Sequence, residues 1–161
     1  MINEAARAKA REAEEALNLP DPVTLGSIQE HLEKLRGRKI TIQPMKSAPT
    51  DKVCGLWFGL DDMDLILHAP AVTVVHRQQI ILHEFAHMIL RHRQEVVSPE
   101  LTKVFFPDLA PDRVVTALKR SDFLDEFEVT AELLADRLAA RIRLAANRRN
   151  AQPRNFGAIF G

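Results

Sequence analysis

Cysteine is nearly absent from this chain: Cys54 is the only one among 161 residues. An intrachain disulfide and a thiolate-rich zinc cluster are thereby excluded. Tyrosine is missing altogether, so no phenol can donate a hydrogen bond in an active site. Net charge is missing too, because Lys plus Arg and Asp plus Glu both number 22. No global field then draws the chain to nucleic acid or to an anionic membrane. No apolar stretch approaches the ~20 residues of a membrane span. Residues 1–16 are charged and alanine-rich without an apolar centre, which is not the pattern of a secretory signal. The expectation is a cytoplasmic protein with one domain over residues 1–161, and the 46% hydrophobic content is that of an ordinary soluble fold.

Residues 3–17 carry strong helix formers, with Asn3 as a cap. The apolar side is mostly alanine, so residues 1–19 are expected to pack thinly. Pro20 and Pro22 break the chain. A second helix is predicted over 24–36, capped by Thr24 or Ser27, with Leu25, Ile28, Leu32 and Leu35 as its core face and Gly37 as its stop. Alternation predicts a strand over Lys39 to Gln43, and Cys54 to Phe58 and Asp64 to His68 are two further strand candidates. Turn chemistry in 59–63 joins the last two as a hairpin. These runs predict an α+β fold: a small three-stranded antiparallel sheet packed against a helix over about 75–92, with a mostly helical C-terminal half. In that half Ser98 and Pro99 start a helical region that Pro107 and Pro111 divide into short pieces over about 98–106 and 112–119, and a long helix runs from Asp122 or Asp125 to about Ala146. The tail, 147–161, holds Arg148, Arg149 and Arg154 and reads as a solvated end rather than a nucleic-acid contact.

The most informative stretch is His83-Glu84-Phe85-Ala86-His87, inside the apolar run Ile80 to Leu90. Residues four apart share a helix face, since each step turns about 100°. His83 and His87 can therefore aim two imidazoles at one point, and Glu84 can reach that point from the side. Burying three ionisable groups on an apolar helix is costly unless they are paired or bind metal. Two neutral imidazoles supply two legs of a zinc site, and the carboxylate can act as general base toward water activated there.

A catalytic zinc commonly takes three protein ligands. The metzincin continuation is excluded, because Leu90 stands where a glycine is needed and Arg93 where the third histidine would fall. His92, five residues after His87, would point about 140° away from it on a continuing helix, so it is not a natural third ligand unless the helix ends first, and it is expected on the rim or the surface. The final helix offers Glu128, Glu132 and Asp136, spaced by four on one face. Such a stripe of like charge is unfavourable alone and is relieved by a divalent cation. One carboxylate can bind the metal while the next holds the outer N–H of a ligand histidine. Spacing allows Glu128 with Glu132, or Glu132 with Asp136.

The motif HEFAH, followed by Glu128-Val129-Thr130-Ala131-Glu132-Leu133-Leu134-Ala135, resembles the ImmA/IrrE family of metallopeptidases. Cys54-Gly55-Leu56-Trp57 and Ile81-Leu82-His83-Glu84 fit the order seen in its short, stand-alone members, so the resemblance covers residues 20 to 145 or so. It implies a minimal zincin-like domain with His83, His87 and Glu128 as ligands and Glu84 as catalytic base. Glu132 fills a following polar position that is commonly Asn or Asp in the family.

The function expected from these parts is a zinc-dependent endopeptidase, with manganese or another divalent ion also suited to two histidines and a glutamate. Resemblance implies a regulatory protein as substrate, often a helix-turn-helix repressor, and no direct contact with nucleic acid or membrane. An extended substrate could add to the edge of the 54–68 hairpin. With no tyrosine, an oxyanion donor would have to be His68, His76, His92 or an arginine. The alternative is a metal-stabilised module that binds a regulator without cutting it. An intact HExxH argues against this, because a structural site has no use for Glu84.

Overall fold

The computed structural model describes residues 4–46, 54–70, 73–110, 112–118 and 125–150. Helix α1 (Glu4–Leu17) is followed by α2 (Leu25–Arg36). Thr24 and Ser27 share the start of α2. Each accepts a hydrogen bond from the other's backbone N–H, at 2.9 and 2.8 Å, so both predicted caps act in one capping box. Gly37 ends the helix with φ +66°, a left-handed conformation that glycine adopts without a Cβ penalty. Of the predicted core face, Ile28 and Leu32 are buried, but Leu35 is 64% exposed. The last turn instead turns Arg36 inward to the carboxylate of Asp64. Asn3 and the chain beyond Asn150 lie outside the described residues.

The strands are β1 (Lys39–Pro44), β2 (Gly55–Gly59), β3 (Met63–His68), β4 (Gln94–Val96) and β5 (Thr116–Leu118). They form one mixed sheet in the order β1-β3-β2-β5-β4. The α+β class holds, but the small three-stranded antiparallel sheet is overturned. The β2–β3 hairpin is present and antiparallel, whereas β1 pairs with β3 in parallel. Two further strands extend the sheet beyond β2. Each is three residues long, too short to display a period, and β5 lies within the stretch predicted as a helix over 112–119.

Helix α3 (Val74–Ile89) carries the motif, α4 (Pro99–Phe105) starts at the predicted Ser98 cap, and α5 (Asp125–Asn150) closes the described chain. Side chains alternate across the sheet, as the two-residue period of a strand requires. Trp57 and Ile66 face α3 in a core with Ile28, Phe85, Leu134 and Leu138. Leu56, Phe58 and Leu65 face the other way, into a smaller core with Met45 and Val115. There Phe58 meets Phe105 and Phe106, each with ring centroids 5.1 Å away. Phe85 is fully buried between the motif helix and its neighbours, and such a side chain contributes about 1.5–3 kcal/mol. Helix α1 lies along α5 through Ala6, Ala10 and Leu17, with Glu14 paired to Arg137.

One charge is built into the core. Asp64 is 0% exposed. Its carboxylate accepts from Arg36 at 2.7 and 3.1 Å and from the Trp57 indole N–H at 3.1 Å. This joins the end of α2 to the middle of the sheet.

Candidate metal centre

Thr73 caps α3, its hydroxyl oxygen accepting from the His76 N–H. Nearly three turns on, the helix delivers the motif against β2. The approach is close enough to require glycine: a Cβ on Gly55 would stand 2.6 Å from Ile80 Cγ2 and 3.1 Å from a Glu84 carboxylate oxygen. Glu84 is 5% exposed and lines a cavity of about 310 Å³ together with His83, His87, Glu128, Glu132 and Gly55.

The two imidazoles meet as their spacing predicts. His83 Nε2 and His87 Nε2 lie 3.1 Å apart. Glu128 arrives from α5, 2.8 Å from His83 Nε2 and 3.3 Å from His87 Nε2. One ligand atom from each of these three side chains lies within 4.8 Å of the others, and the group could hold a metal ion. Glu132, one turn on, sits on the opposite nitrogen of His83, Nδ1, at 2.8 Å. Of the two registers that spacing allowed, the described geometry is the one with Glu128 at the shared point and Glu132 behind His83. Asp136 faces Gln79 rather than a histidine.

Electrostatics are those of a cation site held by its own pairs. Burial works against a charged His83, yet its hydrogen bond to Glu128 and the charges of Glu84, Glu128 and Glu132 raise it to about 9. Hydrogen bonds from His83 and His87 hold Glu128 well below the usual carboxylate range. The imidazole nitrogens must be proton-free to bind metal, so binding would release the His83 proton. Two imidazoles, an ionised carboxylate and an adjoining cavity make a donor set suited to a divalent ion with an open position.

Gln79 was missed in the sequence, although it stands four residues before His83 on the same face. Its amide donates to Glu132 at 3.2 Å and to Asp136 at 3.0 Å. It thereby restrains the carboxylate that restrains His83. The helix expected to run to about residue 92 ends earlier, and His92 lies beyond it. Helix α3 stops at Ile89, and Arg91 is left-handed with φ +58°. The N–H of Arg91 donates to Met88 O and that of His92 to His87 O, both at 3.1 Å, the two bonds of a Schellman stop. His92 thus turns back onto His87, with the Nδ1 atoms of the two rings 2.8 Å apart. Burial, with the His87, Lys9 and His83 charges, lowers His92 to about 4 against the pull of Glu128.

His68 is buried, with Nδ1 3.0 Å from Ala69 O and Nε2 accepting from Arg77, while exposed His76 lines the cavity. The 54–68 hairpin expected as a peptide ledge is covered along β3 and in part along β2. β3 is flanked by β1, and β5 pairs with β2 at Phe58 and Gly59. Among the described residues, no helix is long and apolar enough to cross a membrane. No family model matches this chain, and neither a curated protein nor a solved structure matches it.

Proposed function

We propose that this protein is a zinc-dependent endopeptidase of the ImmA/IrrE type, acting in the cytoplasm on a regulatory protein, with a helix-turn-helix repressor as the substrate class. The observation that carries the reading is the convergence of His83 Nε2, His87 Nε2 and the Glu128 carboxylate beside a cavity that Glu84 also lines. A binding module would need the first three groups but not the fourth. The family and the substrate class rest on the motif resemblance alone.

When bound, a divalent ion supplies polarisation of the scissile carbonyl and acidification of the attacking water. Glu84 accepts a proton from that water and hands it to the leaving amine, a role that contributes about 10²–10⁴-fold. Its burial beside Gly55 fixes the carboxylate on the cavity wall. At about 310 Å³ the cavity is at the small end of ligand pockets. It suits a scissile bond and its neighbours within an unfolded or looped segment. Glu132 and Gln79 hold His83 from behind and take no part in bond breaking.

Purified protein, zinc and a candidate repressor should give a single specific cut. Glu84→Gln should abolish it while metal content stays that of the unsubstituted protein. Cutting that survives Glu84→Gln would remove the proposed base. Tight repressor binding with no cleavage at any enzyme concentration would replace the peptidase with the binding module.

A further inference from the structure

His92 is tied to His87 twice. Its backbone N–H donates to the His87 carbonyl, and its ring nitrogen Nδ1 lies 2.8 Å from Nδ1 of His87. That nitrogen is the outer one, since Nε2 of the same ring faces His83 and Glu128. A third contact fixes the His92 ring from the other wall. Phe127 lies against it, with centroids 4.5 Å apart and planes at 35°. Phe127 is the chain neighbour of Glu128, so α5 brings a carboxylate to the shared point and an aromatic ring to His92 on adjacent residues.

Resting on the metal reading above, we propose that His92 is a positioning residue for the centre, holding the outer nitrogen of His87 so that Nε2 keeps its aim at the point shared with His83 and Glu128. Each imidazole then has its own outer partner: Glu132 for His83 and His92 for His87. Ligand histidines characteristically have their second nitrogen held in this way, which fixes both tautomer and ring orientation. The choice of an imidazole over another carboxylate has a physical reason. Glu84, Glu128 and Glu132 already surround the two rings, and a fourth negative group would add to their mutual repulsion. A neutral imidazole accepts the Nδ1 proton without adding charge.

The test uses the full chain in two states. In metal-free protein labelled with nitrogen-15, a coupling across the hydrogen bond should link Nδ1 of His87 to Nδ1 of His92. Its absence overturns the proposal without reference to any metal. Zinc affinity is then measured by chelator competition for the wild type, His92→Phe and His92→Gln. Phenylalanine keeps the stack on Phe127 but cannot accept a proton, whereas the glutamine carbonyl can. His92→Phe should weaken zinc binding about 10–100-fold, and His92→Gln should restore most of the loss. Equal affinity in all three proteins, or equal loss in both variants, overturns the positioning role. A wild type that shows the coupling yet binds no zinc fails at the centre itself, and takes the metal reading with it.

Discussion

Glu132 holds the outer nitrogen of His83, Oε2 to Nδ1 at 2.8 Å, and so leaves Nε2 of that ring facing Glu128. The two acids are one helical turn apart and touch opposite edges of one imidazole. They should therefore fail differently. Glu128→Ala removes a proposed ligand and should abolish stoichiometric zinc at micromolar protein. Glu132→Ala leaves all three proposed ligands and should weaken zinc about 10–100-fold, the usual cost of losing an outer partner. Metal analysis of both variants after dialysis checks this. Full metal in Glu128→Ala with none in Glu132→Ala would shift the ligand by one turn.

Protons and metal compete for the same pair, and the signs can be worked out. His83 is raised from 6.5 to about 9 in the folded metal-free protein. Its contribution to stability is fully present below pH 6.5 and is lost as pH rises through 9. Glu128 is held below its ordinary value of 4.5. Its contribution is present above pH 4.5 and is lost as pH falls through the folded value. In chelator, the melting temperature should therefore fall as pH is raised from 6.5 to 9. Zinc affinity should move the opposite way over that window, rising by up to tenfold per pH unit as the competing proton leaves. Melts that are flat with pH in chelator would show that His83 and Glu128 are not paired as described.

What could be read in advance was what is encoded locally. The Thr24 and Ser27 cap, the Gly37 stop and the His83–His87 spacing each depend on residues within one or two turns. The meeting of α3 with α5 was legible only because an acidic stripe on a leucine-rich helix needs a reason. Pairing order was not legible: β3 lies between β1 and β2, and no residue in the three short runs marks which of them is inner. The role of His92 was hidden by Arg91. A helix stop is normally announced by glycine, and here arginine takes the left-handed position. Nothing in the residue pattern marked the end of α3 before His92 turned back.

Gly55 sets how closely the sheet can approach the motif helix. A methyl group there would meet Ile80 Cγ2 at 2.6 Å and crowd Glu84 at 3.1 Å. Ile80 is 5% exposed and lines the cavity, and its Cγ2 stands on the branched Cβ, so it moves only by turning the stiff χ1 of a helical isoleucine. Gly55→Ala should destabilise the fold by about 1–3 kcal/mol, the usual cost of overpacking. If the protein is the proposed peptidase, turnover should fall further than zinc affinity does, since Glu84 is displaced while the three ligands are not. Urea denaturation and paired metal and activity assays separate the two effects. A substitution without effect on either would mean that β2 can draw back freely.

Asp64 tests the support beneath the site rather than the site. Its carboxylate has no solvent exposure and three hydrogen bonds, two to Arg36 and one to Trp57. Removing one partner of a buried ion pair leaves the other uncompensated, at about 3–5 kcal/mol. Arg36 is 26% exposed and can recover part of its hydration, but Arg38, whose Nε lies 3.5 Å from the same carboxylate and is buried without a hydrogen bond, is left uncompensated, so Asp64→Ala belongs within that range. Trp57 also loses its acceptor, while its ring faces the same core as Phe85 of the motif helix. The denaturation midpoint should drop accordingly, and Asp64→Asn, which keeps an acceptor for the indole, should lose less than Asp64→Ala. Zinc affinity of the folded fraction should be unchanged in both, because none of these groups reaches His83, His87 or Glu128. A loss of zinc affinity that outruns the loss of stability would mean that the sheet positions the motif helix through Trp57.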